Sequence, residues 1–274
     1  MITTVTQRWR ERRGTYRPAG EVIVPAHYEV APIPDDRTAR AFVEQHHYAG
    51  TYPAARYRFG LYWGGLLVGV AVFSHPMNDR VLAVFPGETI ESVELGRLVL
   101  LDRVPGNGES FFVARCFEHL RREGLVGVVS FSDPVRRLCS AGRPVFRGHI
   151  GNVYQALNGI HDGRSTARTL LLLADGTVFS GRAAQKIRAG ERGHEYAAMQ
   201  LVRAGRAAGL RLAAPAPADD PRAWLARWLP LLTRPLRHPG NLRYVWGLDR
   251  AAKRHLARTV RALPYPKFDA RRAA

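Results

Sequence analysis

The chain is short of three things. It has two cysteines, Cys116 and Cys139, in 274 residues. That is too few for a disulfide framework and fits a reducing, intracellular compartment. It has no apolar run near the ~20 residues that a membrane helix needs. Its opening, MITTVTQRWRERRG, lacks the apolar core of a signal peptide. A cytoplasmic protein with no membrane partner is therefore the expectation. The third deficit is acid: 23 Asp and Glu face 41 Lys and Arg, a formal charge of +18. The imbalance is steepest from Leu201 to Ala274, with 16 basic residues against 4 acidic ones. Arginine predominates, and its planar fork matches phosphate. A polyanion is the expected partner, nucleic acid ahead of a membrane surface. A plain compositional drift toward arginine is the alternative.

What is present is enough apolar material, 46% of residues, for one core or for one core plus an appendage. Residues 1–36 read as an irregular arm, and DDRTARAFVEQHHY reads as a helix over Asp36–Tyr48, capped by Asp35 or Asp36. RYRFGLYWGGLLVGVAVFSHP alternates and turns at Gly64-Gly65, which predicts a hairpin. GLVGVVSFSDP is a short apolar strand suited to burial on both faces beside a parallel neighbour. VRRLCSAG, IGNVYQALNGIH and the basic stretch QKIRAGERGHEYAAMQLVRAGRAAG carry helical pattern. RTLLLLADGTVFS predicts a second hairpin turning at Asp175-Gly176, and APAPADDP is a linker by composition. The organisation expected is an arm over 1–35, a catalytic domain over 36–213 and a basic, aromatic-rich extension over 214–274. The fold class expected is α/β, a mixed sheet with helices on both faces.

The stretch VELGRLVLLDRVPGNGESFFVARCFEHL runs from strand through Pro105-Gly106-Asn107-Gly108 into a helix. Free N–H groups and the positive helix end make such a turn an anion site. Gly106 and Gly108 let a phosphate approach, and Ser110 either caps the helix or bonds a ligand. Neither GxxxxGK[ST] nor GxGxxG is present. A plain strand–helix turn is an equal reading from spacing alone.

In layout this stretch resembles the acetyltransferase superfamily with the GNAT fold, though its usual [QR]-x-x-G-x-[GA] string is missing. HHY at 46–48, ELGRLVLLDRVPGN at 94–107, SFSDP at 130–134, GHIGNVYQALN at 148–158 and GRAAQK at 181–186 together resemble the Mom family of phage DNA-modification proteins. The resemblance implies a GNAT-like fold and transfer of a carbamoylmethyl group to adenine N6 in double-stranded DNA, protecting phage DNA from restriction. It also implies a small-molecule donor, acyl-CoA-like in this fold, and iron as a metal linked to the family.

The site residues follow from that frame. Arg97 interrupts an apolar strand, so it either pairs with an acid such as Glu94 or Asp133 or faces a cleft. Arg97, Gly106, Asn107, Gly108 and Ser110 are expected to hold the donor. His47, Tyr48, Asp133, Tyr154 and Arg97 are the catalytic candidates, with Asp133 as general base. His47, Tyr48, Asp133 and Tyr154 are also the metal candidates, although no HxH or CxxC pattern exists. Simpler readings stand beside these: His47 at a helix end, Tyr48 and Tyr154 as core edges, and Asp133 capping a helix that starts at Pro134. Lys186, Arg237, Arg243, Lys253 and Arg254 are expected to touch DNA phosphates. The alternatives are an ordinary acyl-CoA-dependent N-acyltransferase and a non-catalytic DNA-binding protein.

Overall fold

The computed structural model describes residues 5–11, 13–18, 20–216 and 218–267. Its first elements are β1 (Val5–Arg10) and β2 (Arg13–Pro18), which form a separate hairpin, and β3 (Tyr28–Pro32). The stretch expected as an irregular arm is thus largely strand. Next come α1 (Asp36–His46), β4 (Ala55–Trp63), β5 (Leu66–Ser74) and β6 (Ser92–Leu100). The Asp35 carboxylate caps α1 by accepting the Thr38 N–H at 2.8 Å. Then follow α2 (Gly108–Arg122) and β7 (Gly127–Ser132).

VRRLCSAG is not helical. It lies in a ribbon of β8 (Arg137–Leu138) and β9 (Pro144–Phe146). Turn chemistry defeats the periodicity there: the Asp133 side chain takes the Val135 N–H, and Gly142 N–H closes back on the Cys139 carbonyl. The chain continues through α3 (Asn152–Ala156), β10 (Ile160–Arg164), β11 (Arg168–Leu172), β12 (Val178–Phe179), α4 (Gly181–Ala189) and α5 (His194–Ala207). It ends in α6 (Pro221–Leu232), β13 (Arg234–His238), β14 (Leu242–Gly247) and α7 (Arg250–Thr259).

The main sheet has the order β10-β14-β7-β6-β5-β4-β3. Only β6 and β7 are parallel, and α2 makes their crossover. Phe112, Val113, Cys116 and Leu120 of α2 are buried against one face with Phe73, Leu100 and Val128. Ala39 and Val43 of α1 are buried on the other face with Val70, Val72 and Val99. Alternate residues of β7 serve different clusters, Val128 on the α2 side and Val129 with Phe85, Val245 and Leu256. That is why its sequence is an unbroken apolar run.

β12, β11 and β13 form a second sheet, and α4, α5 and α6 carry a second core around Phe179, Ile187, Leu201 and Leu225. The residues expected as a C-terminal extension divide between these bodies. α6 and β13 build the second core, whereas β14 inserts between β7 and β10 in the main sheet. Tyr244 and Trp246 are accordingly core residues.

Candidate active site

β6 and β7 pair only through Ser92–Glu94 and Gly127–Val129. Beyond that register each strand follows its other neighbour, β6 pairing with β5 and β7 with β14. A cavity of about 440 Å³ opens past the point where the parallel pairing stops. The end of α1, the glycine turn and the loop before α3 line it, together with β1 of the N-terminal hairpin. The carboxyl end of an inner strand is where open α/β sheets place ligands.

His47, Tyr48, His149 and Tyr154 meet in this cavity. His47 is the C-cap residue of α1 and is buried. Its Nδ1 accepts the Ala49 N–H at 3.1 Å, which leaves the hydrogen on Nε2. Burial, with the charges of Arg97 and His149 behind it, holds this imidazole well below the usual histidine range. Tyr48 Oη lies 3.4 Å from His149 Nε2. Burial pushes the Tyr48 phenol up and pulls His149 down to about 4. Tyr154 is raised by the same cause, partly offset by a hydrogen bond with Ser130. At neutral pH the site therefore holds two neutral imidazoles and two protonated phenols. Gly151 shapes the loop before α3: its φ is +76°, and a Cβ there would stand 2.8 Å from the rings of both Tyr154 and Tyr244.

Arg97 pairs with neither Glu94 nor Asp133. Its guanidinium donates to the Thr51 carbonyl and hydroxyl, each at 2.8 Å, and to the Gly96 carbonyl at 2.6 Å. It ties the turn after α1 to β6 while its charge bears on Tyr48, Glu94 and Tyr154.

Asp133 does not line the cavity. Its Oδ1 accepts from Val135 N–H at 3.0 Å and from His238 Nε2 at 2.9 Å, and its Oδ2 from Arg137 at 2.6 Å. Burial alone would raise this carboxyl, but the Arg137 charge and the three hydrogen bonds outweigh it, and the net movement is downward. A carboxylate so committed is a poor general base. No helix starts at Pro134 either. What Asp133 does is hold the loop: its carbonyl accepts the His149 N–H at 2.8 Å. With Asp133 turned away, the cavity gathers His47, Tyr48 and Tyr154 of the four expected iron ligands but not Asp133. Among the described residues no three His, Cys, Asp or Glu side chains could share a metal ion.

Both glycine N–H groups of the turn are taken within the chain. Gly106 N–H donates to Glu21 Oε2 at 2.8 Å, and Gly108 N–H to the Pro105 carbonyl at 2.9 Å. Asn107 Oδ1 accepts the Ile23 N–H, and the Ser110 hydroxyl donates to the Asn107 carbonyl, both at 2.9 Å. Glu109, in the first turn of α2, is buried and paired with Arg8, which also donates to the carbonyls of Leu101, Val104 and Pro105. Two carboxylates thus stand where an acyl-CoA pyrophosphate would sit, and these residues do not fit that group. Gly106 is needed for the hairpin's approach, since a Cβ there would meet the Pro18 carbonyl oxygen at 2.7 Å.

The expected DNA contacts are dispersed. Lys253 and Arg254 are exposed on α7, Arg237 is exposed beside Arg168 at the β11–β13 pair, and Lys186 is half-buried on α4. Arg243 is engaged, its Nε 2.7 Å and its Nη2 2.5 Å from the Asp162 carboxylate. Sequence reasoning missed Gln7, Arg8 and Trp9 altogether. Their signal is the alternation of VTQRWR ahead of a tight reversal, which predicts a strand once it is looked for.

Helix, hairpin, strand, glycine turn, helix and parallel strand, with a cavity where the parallel pair parts, define a mixed α/β protein. The model of the Mom protein family matches residues 27–212, and the chain belongs to that family. Among solved structures, a tandem GNAT protein from the clavulanic acid biosynthesis pathway, without AcCoA, is similar to it at 12% identity with a TM-score of 0.40. That match covers 81% of this chain and 99% of the other. No curated protein matches. Among the described residues no helix is long and apolar enough to cross a membrane.

Proposed function

We propose that this chain is a DNA-modifying transferase that adds a carbamoylmethyl group to adenine N6. Membership of the Mom family supports phage-type DNA modification in general. The observation that carries the finer reading is the uncharged Tyr48–His149 pair inside an aromatic cavity beside Tyr154.

Adenine N6 is conjugated with its ring and is a weak nucleophile. It needs a proton acceptor in place and a donor held in line. It also needs the base out of the stack, against aromatic walls. In the proposed step N6 bonds to the methylene carbon of an activated carbamoylmethyl donor. The bond from that carbon to its leaving group breaks, and the leaving group departs with the electron pair. The N6 proton passes to Tyr48 Oη as the Tyr48 hydrogen passes to His149 Nε2. The Tyr154 phenol donates to the leaving group. Arg97 and Asp133 act as positioning residues, one on the turn that carries Tyr48 and the other on the loop that carries His149. The donor's anchor lies elsewhere than the glycine turn, and this counts against the ordinary acyl-CoA-dependent N-acyltransferase. The exposed cations of α7 and the β11–β13 pair supply phosphate contacts.

The test is expression in a bacterial host, digestion of its DNA to nucleosides and mass spectrometry, beside empty vector and Tyr154→Phe. The expected result is a deoxyadenosine derivative bearing the carbamoylmethyl mass, absent from the vector control and depleted in the variant. Unchanged nucleosides with soluble, DNA-binding protein count against the reading.

A further inference from the structure

The N-terminal hairpin brings two side chains to the cavity that the proposed step leaves unused. Gln7 and Trp9 lie two apart on β1 and share a face, while Arg8 between them is buried against Glu109. The Trp9 ring lies 4.8 Å from that of Tyr48 and 5.8 Å from that of Phe146, within 12° of parallel to the latter. Trp9 thereby extends the Tyr48 surface into an aromatic wall on the hairpin side. Gln7 lines the same cavity, and its amide nitrogen is buried with no hydrogen-bond partner among the described residues. A buried amide donor without a partner is unfavourable unless a ligand completes it.

We infer that Gln7 and Trp9 read the flipped base: the Trp9 indole stacks on adenine, and the Gln7 side-chain amide pairs with its edge. This rests on the adenine-N6 reading of the site. A carboxamide presents a donor and an acceptor side by side. Adenine offers the complement, a ring nitrogen that accepts and an N6 amine that donates. On the edge carrying N7, guanine offers two acceptors, N7 and O6, so the Gln7 oxygen would face another oxygen. One N6 hydrogen held by Gln7 leaves the other to pass toward Tyr48. The base-reading wall stays in place because the hairpin is latched by Arg8 on Glu109 and by the Thr6 hydroxyl on the Gly106 carbonyl at 3.2 Å.

The test uses full-length protein: wild type, Gln7→Ala, Trp9→Ala and Trp9→Phe, each checked for folding by circular dichroism and melting temperature. Binding is measured by fluorescence anisotropy to thymine-rich single strands that differ only in a central dA or dG. Wild type is expected to prefer dA roughly tenfold, Gln7→Ala to lose that preference, and Trp9→Ala to weaken both strands roughly tenfold. Trp9→Phe, which keeps a ring, is expected to hold most of the affinity. Equal affinity of wild type for the two strands, or an unchanged preference in a folded Gln7→Ala, overturns the inference. Nucleoside analysis of the same expression hosts separates the two levels. Absence of modified adenine with wild type counts against the proposed function. Modified adenine at wild-type yield in both Gln7→Ala and Trp9→Ala overturns the base-reading role alone.

Discussion

His238 Nε2 meets Asp133 Oδ1 at 2.9 Å across 105 residues of sequence, and the pair joins the second sheet to the end of β7. The other ring nitrogen, Nδ1, accepts the Gly240 N–H at 3.0 Å, so a neutral imidazole satisfies both contacts. Asp133→Asn is expected to cost about 1–3 kcal/mol in denaturant unfolding, because buried hydrogen bonds to His238 and Arg137 are weakened together. The pH dependence has a definite sign. A carboxyl held below its unfolded value stabilises the fold above about pH 4 and loses that contribution as pH falls through its lower folded pKa. The melting temperature of wild type should fall more steeply below that pH than that of Asp133→Asn.

In the proposed step His149 sets the acid limit of activity. Its neutral form must receive the Tyr48 hydrogen, and burial holds it near 4. DNA modification, followed in vitro across pH, is therefore expected to be flat from about 5 to 8 and to fall only as pH drops through about 4. An inflexion near 6.5, the ordinary histidine value, would overturn the burial-lowered state of His149. Replacing Tyr154 by Phe should lower the rate about 10²- to 10⁴-fold with little change in melting temperature.

Arg8→Met leaves the Glu109 carboxylate buried without its ion pair. The expected cost is about 3–5 kcal/mol, borne first by hairpin docking. Hydrogen exchange should rise over residues 5–18 before it rises in α2. Uniform exchange across both segments would mean the hairpin is not a separable unit.

Charge removal should sort the basic residues into two kinds. Lys253→Ala with Arg254→Ala is expected to reduce the slope of log affinity against log salt by about 2, with stability unchanged. Arg243→Ala instead strands the buried Asp162 carboxylate. It should lower the melting temperature while leaving the salt slope intact.

The legible part of this protein was local. The Gly64-Gly65 hairpin, the strand–turn–helix over residues 92–122 and the apolar β7 were read from alternation, turn residues and periodicity. His47, Tyr48 and Tyr154 were placed by motif, and the cavity gathers them. What escaped depends on distant pairing. Nothing near Asp133 announces that His238 occupies it. Nothing near Gly106 announces that Glu21 takes its N–H. Residues 5–18 were read as the basic start of an irregular arm. Their order comes instead from one buried arginine, Arg8, bonded to three carbonyls and a carboxylate of a segment about a hundred residues away.

The position of β14 governs how the protein is made. β7 and β10 are synthesised long before residues 242–247, yet until that strand arrives between them β10 has no neighbour in the main sheet and β7 has only β6. On the ribosome the sheet must wait, with the outer edge of β7 open, while the second core is made. Tyr244 and Trp246, which pack against Tyr154, come with the same strand. A product interrupted before Leu242 would thus lack both the strand that joins β10 to its sheet and the backing of its pocket.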